Sequence, residues 1–381
     1  MDHLLDETGR DLLARARTFR REIVDANAEA WERARTPPVD ALRAAAEAGL
    51  LAIEVPMAQG GQGGDYLAKL AICEELSRSD MAFAFSMINT QNVAARLAVA
   101  GNPAHLEKYV PDLISGRRFG GTALSEPGAG SDFSGIQCAA RKVDGGWVLN
   151  GEKGWITNAA IGDVFAVYAQ SDPAAGWRGI ACFLVDGRRD GFTRLAPYAL
   201  MGGHAIGVGG FRLENYFVAD EDVLGLPGVA FKYAMAGVNG ARAYVAAMCA
   251  GMISASLDLA LDYGRLRRTF GKRLIEHQGL TWSLVDVATQ LAALRGLTEK
   301  AGLAIARSGD AILPAAYAKK YAGDITVPAI TACIQAMGAN GLRAEHPLGR
   351  HLACAKIAAY TDGSTEIMKE RIAAELIKSG Q

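Results

Sequence analysis

Residues 124–132 read LSEPGAGSD and residues 150–158 read NGEKGWITN, and the reading of these two stretches decides what kind of molecule the chain makes. In the first, three small residues after a proline give a backbone that a ligand can approach closely, with Ser125 and Ser131 as hydroxyl donors on either side. In the second, Trp155 and Thr157 stand two apart, so on a strand they share one face and offer a flat apolar plate and a polar contact to a planar heterocycle. Each stretch also has an ordinary reading, a hairpin loop for the first and a core tryptophan beside a surface threonine for the second. Around them lie short apolar runs at 147–149, 164–169 and 180–185, punctuated by Asp144-Gly145, Asn150-Gly151 and Asp186-Gly187. That texture predicts a β-rich segment from about Phe119 to Leu226 with turns at those dipeptides.

Outward from this segment the periodicity is helical on both sides. Residues 40–51 follow Pro37-Pro38, with Asp40 as a candidate N-cap and Gly49 near the stop, and 66–76 and 83–99 read as further helices. The glycine-dense loop at 56–65 separates them. Beyond Pro227, Leu280, Leu284, Val287, Leu291 and Leu294 recur at steps of four and three, one apolar stripe on a long helix. Breaks are expected at Ser308-Gly309-Asp310 and at 337–341. The order is helices, strands, helices, without the alternation of a doubly wound sheet. The expected class is therefore α+β multidomain, with a helical domain at 1–116, a β-domain at 117–226 and a helical bundle at 227–381.

Composition narrows the function. The chain has 381 residues, half of them hydrophobic, and 40 Lys+Arg against 41 Asp+Glu, a net charge of -1. No cationic surplus is available for a nucleic-acid backbone. The longest apolar run, 243–257, falls short of the roughly 20 residues of a membrane span. The start, MDHLLDETGRDLL, lacks the basic and apolar regions of a signal sequence, so a cytoplasmic location is expected. Six scattered cysteines without a C-x-x-C pair predict neither a zinc site nor a disulfide framework.

Two more stretches carry chemical potential. Residues 267–278, RRTFGKRLIEHQ, suggest a cation-rich helix meeting a glycine, able to pair with a pyrophosphate or simply to be a solvated face. Residues 335–341, QAMGANG, allow close approach of a ligand or merely end a helix. In this order and spacing, the four stretches together resemble the acyl-CoA dehydrogenases over nearly the whole chain.

That resemblance implies an N-terminal helical domain, a middle β-barrel or sandwich and a C-terminal four-helix bundle, assembled as a homotetramer or homodimer that binds FAD. It implies that Leu124 and Ser125 meet the isoalloxazine edge, that Trp155 covers the ring and that Thr157 bonds near its N5. Ser131 would touch the flavin or the thioester tail. Arg267, Thr269, Phe270, His277, Gln278, Gln335 and Gly338 would grip the ADP half, largely across a subunit interface, with Ser364 and Glu366 on the FAD side and Arg242 and Gly363 beside the substrate. The substrate would be an acyl-CoA and the electron acceptor an electron-transfer flavoprotein.

In the family the α-proton is often taken by a glutamate in a Y-E-G-T-type turn. Here 360–366 reads YTDGSTE, which aligns Asp362 with that base, shorter by about 1.5 Å. The alternative position for the base, near Asn239, holds Ala241 before Arg242 and cannot serve. A short, branched or cyclic acyl group would bring the α-carbon closer to the shorter side chain. The stretch 201–210, MGGHAIGVGG, lacks the polar run many relatives carry, and no arginine lies within 83–91, which argues against a dicarboxylic acyl group. The alternatives are a repurposed scaffold (oxidase, monooxygenase or desulfinase) and a flavin- or CoA-binding protein without turnover.

Overall fold

The computed structural model describes residues 1–379. Helices α1 (Glu7–Phe19), α2 (Asp25–Ala34), α3 (Val39–Glu47), α4 (Tyr66–Ser77), α5 (Met81–Ala100), α6 (Pro103–Lys108) and α7 (Val110–Ile114) come first. Strands β1 (Gly120–Ala123), β2 (Ala139–Val143), β3 (Gly146–Ile156), β4 (Val164–Gln170), β5 (Ile180–Asp186), β6 (Phe192–Arg194), β7 (Gly209–Ala219) and β8 (Val223–Gly225) follow. Then come α8 (Ala230–Leu266), a small hairpin of β9 (Arg268–Thr269) and β10 (Lys272–Arg273), and α9 (Gln278–Ala306), α10 (Ile312–Met337), α11 (Leu348–Tyr360) and α12 (Thr365–Ser379).

The first eight strands form one sheet in the order β6-β7-β3-β2-β4-β5-β8, with β1 pairing in parallel to β4. Phe165 on β4 meets Phe211 on β7 at 4.9 Å and Phe192 on β6 at 5.8 Å between ring centroids. Rings from strands far apart in the order touch, so the sheet curls over its own core. Helices α8, α9 and α10 pack on one another and on α4, with Leu284, Val287, Leu291 and Leu294 of the expected stripe buried and Leu280 half-buried.

Several local expectations are corrected. Asp40 lies inside the first turn of α3, whose N-cap is Pro38. Asn150-Gly151 is a bulge within β3: the pairing with β7 shifts register there, and Gly151 takes φ 151, with Cys138 too close for any side chain. The cation-rich stretch is a hairpin rather than a helix, because α8 stops at Leu266 and Phe270-Gly271 both turn with positive φ. The apolar run at 243–257 belongs to a 37-residue helix long and apolar enough to span a membrane, and so does the helical stretch that contains α10. In α8, however, 78% of the most apolar window is buried inside the protein.

One buried ion pair welds the two motif loops together. Lys153, with no exposed surface, points its ammonium at Glu126 Oε1 (2.8 Å) and at the carbonyl of Leu124 (3.1 Å). Glu126 in turn accepts the backbone N–H groups of Gln137 and Cys138. A second hub, Asn158, donates to the carbonyls of Ser86 on α5 and Gly120 on β1, joining the helical layer to the sheet. Removing one partner of a buried, hydrogen-bonded pair strands the other, at a cost of about 3–5 kcal/mol. Lys153→Met is thus expected to lower unfolding stability by that amount in urea titrations, and Glu126→Gln added to it to restore part of the loss; a single variant within 1 kcal/mol of the parent would contradict this role.

Candidate active site

Two clusters come from the predicted residues. The first lies on the sheet. Gly154 N–H donates to Ser125 O at 3.1 Å, which sets the Leu124–Ser125 backbone beside the end of β3. Trp155 adopts φ 61 and the register with β7 shifts between Lys153 and Ile156, yet Trp155 and Thr157 remain the accessible residues between buried Gly154, Ile156 and Asn158. The left-handed residue turns the indole out: it is 59% exposed and leans on Tyr198 at 4.5 Å, while Thr157, just past the strand, is half-buried. Ser131 is exposed on the same loop, and a Cβ at Gly128 or Gly130 would meet no atom within 4 Å.

The second cluster surrounds Asp362. The turn 361–364 leads from α11 into α12 and is held from two sides. Arg242 on α8, 5% exposed, donates through Nε to Asp362 O (3.1 Å), and Lys319 on α10 donates through Nζ to Gly363 O (3.3 Å). Asp362 itself takes φ 55, a conformation that aspartate tolerates better than longer side chains do, and Gly363 follows at φ 101. Asp362 as a residue is half-buried, yet its Oδ2 is closed off from solvent and, among the described residues, has no hydrogen-bond partner. Burial pushes its carboxyl up to about 6 against the pull of Lys319 and then Arg242. Burial likewise brings Arg242 down to about 10. The phenols of Tyr66 and Tyr244 are both raised, by burial first, then for Tyr66 by Glu54, Cys73 and Asp362 and for Tyr244 by Asp362.

Other predicted residues lie apart. Thr269 Oγ1 and His277 Nε2 meet at 3.0 Å across the hairpin, with Arg267 and Gln278 exposed and Phe270 97% exposed at its tip. Counted along α8, Arg267 sits about 37 Å from Arg242. Within one chain the hairpin therefore cannot share a pocket with Asp362. Gln335 and Gly338 are exposed where α10 ends, and Glu366 is exposed on the first turn of α12, close after Ser364. The residues of 201–210 are engaged elsewhere, since Glu32 on α2 accepts from the N–H groups of Gly203 and His204 and pairs with the His204 ring at 3.0 Å. Sequence reasoning passed over Lys319, Tyr66, Tyr244 and the Lys153–Glu126 pair. A lysine among Ala315, Ala318 and Ala322 on an apolar helix face was the available signal for Lys319.

An unfolded aspartate titrates near 3.8, below the value of about 6 held here, so the native state binds this proton more tightly. Stability therefore falls as pH climbs from about 4 to 6, and the deficit is complete above that. Asp362→Asn is expected to stabilise the protein by about 2–3 kcal/mol at pH 8 and by roughly half as much at pH 5, measured by denaturant unfolding. A gap that is the same at both pH values would refute the burial of this charge.

The family descriptions "Acyl-CoA dehydrogenase" N-terminal, middle and C-terminal domain match residues 6–117, 121–216 and 231–377. The chain is similar to "2-methylacyl-CoA dehydrogenase, mitochondrial" of Solanum tuberosum, at 33% identity over 98% of this chain and 92% of that protein. Its fold matches the solved butyryl-CoA dehydrogenase of Megasphaera elsdenii with a TM-score of 0.94 at 30% identity, covering 99% of this chain and all of that one. It also matches a structure titled "FAD complex of PigA" with a TM-score of 0.91 at 25% identity over 99% of both chains. Matched along nearly its whole length in both sequence and fold, the chain belongs to the acyl-CoA dehydrogenase family.

Proposed function

We propose that this oxidoreductase is an FAD-dependent dehydrogenase of a short, branched or cyclic acyl-CoA, with Asp362 as the base that removes the α-proton. The observation that carries the reading is the Asp362 carboxylate: with Oδ2 closed off from water and, among the described residues, without a hydrogen-bond partner, and raised to about 6, it is a proton acceptor matched to work near neutral pH. The relatives reported above are named for 2-methylacyl and butyryl thioesters, which supports a short or branched acyl group.

The sheet-side cluster fits a flavin. Trp155 presents an exposed ring, and the glycines at 128 and 130 leave their backbone open to a close neighbour. Leu124, Ser125 and Thr157 would hold the ring system, with Ser131 near its tail and Ser364 and Glu366 near the turn. FAD, when bound, supplies the acceptor for the hydride that leaves the β-carbon. Asp362 takes the proton from the α-carbon, so a C=C bond forms as one proton and one hydride depart. The buried side chains of Tyr66 and Tyr244 bear on the Asp362 charge from α4 and α8. Arg242 keeps the Asp362 backbone in place next to Gly363 and the substrate.

The exposed hairpin residues Arg267, Thr269, Phe270, His277 and Gln278, with Gln335 and Gly338, would complete the cofactor site of another copy, which makes a homotetramer or homodimer part of the function. An electron-transfer flavoprotein would then take up the electrons. The test is anaerobic mixing of the FAD-loaded protein with a panel of acyl-CoAs. At least one short, branched or cyclic member is expected to bleach the flavin, and Asp362→Asn to slow that bleaching by about a thousandfold or more while leaving FAD bound. Bleaching by no thioester, or an Asp362→Asn variant as fast as the parent, would overturn the reading.

A further inference from the structure

The turn that carries Asp362 is held by two cations, and only one of them, Arg242, has been given a part so far. Lys319 is the other. It sits in the middle of α10 and is 1% exposed. Burying an ammonium costs several kcal/mol unless it is compensated, and an apolar side chain would fill that helix face more cheaply. Among the described residues, the carbonyl of Gly363 is the hydrogen-bond partner of its ammonium, at 3.3 Å.

The helix face is shaped for this contact. One turn further along α10, at Gly323, a Cβ would come within 2.5 Å of Thr365 Oγ1, so the glycine lets the start of α12 lie directly against α10. Lys319 and Gly323 thus form a seat for the turn, one by attraction and one by the room it leaves. Arg242 closes the opposite side through Asp362 O and is itself fixed by Asn239 Oδ1 at 2.8 Å.

We propose that Lys319 is a positioning residue for the reaction: reaching from α10 to the Gly363 carbonyl, it holds the 361–364 turn with Asp362 facing the substrate and places a buried positive charge opposite the carboxylate. The inference rests on the reading of Asp362 as the base. The groups bearing on that carboxylate are Lys319 from α10, Arg242 and Tyr244 from α8 and Tyr66 from α4, and Cys249 on α8 also bears on Lys319. Lys319 opposes the rise in the Asp362 carboxyl more than Arg242 does, while burial brings Lys319 itself down to about 8. It is mainly cationic at neutral pH, so the carboxylate has a counter-charge between about pH 6 and 8.

The experiment follows the pH dependence of anaerobic flavin reduction by the best thioester of the panel. In the parent the rate is expected to rise through about pH 6. In Lys319→Met that limb should move up by about one pH unit, because the carboxylate has lost the cation that most opposes its rise. At pH 6 the maximal rate should fall about fivefold with little change in KM. Lys319→Arg, which retains the charge, should return the limb toward its parental place. Should Lys319→Met not hold FAD, Lys319→Gln carries the same test, since it keeps a donor but no charge. A limb left at its parental pH in the uncharged variants, with the parent bleaching normally and Asp362→Asn inactive, overturns this inference alone; a parent that no thioester bleaches overturns the underlying reading, and this one with it.

Discussion

The site depends on keeping one carboxylate ready to accept a proton in a place where water does not solvate it. Desolvation raises the Asp362 carboxyl, and the two cations beside its turn limit that rise, leaving it at about 6. Among the contacts of the described residues, neither cation forms a direct ion pair with the carboxylate. Both are tied to backbone carbonyls, Arg242 to that of Asp362 and Lys319 to that of Gly363, so they support the charge without occupying the oxygen that must take the proton. Had either capped Oδ2, the base would have been quenched.

The rest of the fold serves to bring this carboxylate to a flat surface on the sheet. Helices α8 and α10 run through the buried bundle and supply the two cations from fixed backbone, while α4 adds Tyr66. On the other side, the Lys153–Glu126 pair fastens the 124–132 loop to β3, and Asn158 fastens β1 to α5. Both hubs are buried and fully hydrogen-bonded, which suits rigid placement better than surface contacts would. Of the seven non-glycine residues with positive φ among the described residues, four lie in the motifs: Trp155, Asn158, Phe270 and Asp362.

What could be read in the sequence was whatever repeats or stands out locally. The Leu284–Leu294 stripe, the strands at 164–170 and 180–186 and the stop at Gly338 follow from periodicity and turn chemistry. The misreadings occur where one residue breaks a repeat. Gly151 absorbs a bulge where a turn was expected, and Phe270-Gly271 folds a charged run into a hairpin. Asp362 was found because its turn matches a pattern, but its surroundings come from α4, α8 and α10, distant in sequence. A lone lysine in an alanine-rich helix gives no local sign of which carbonyl it will meet, and the partner of Glu126 is 27 residues away.

The account stands on Asp362 removing an α-proton, a step that can be observed apart from flavin reduction. The direct measurement is the exchange of α-hydrogen for deuterium, by mass spectrometry in D2O, in a short acyl-CoA whose β-carbon carries no hydrogen. The FAD-loaded parent is expected to catalyse this exchange with a rate that rises through about pH 6, and Asp362→Asn to show only the uncatalysed background. Exchange by Asp362→Asn at the parental rate would show that the proton is taken by another group and would contradict the account.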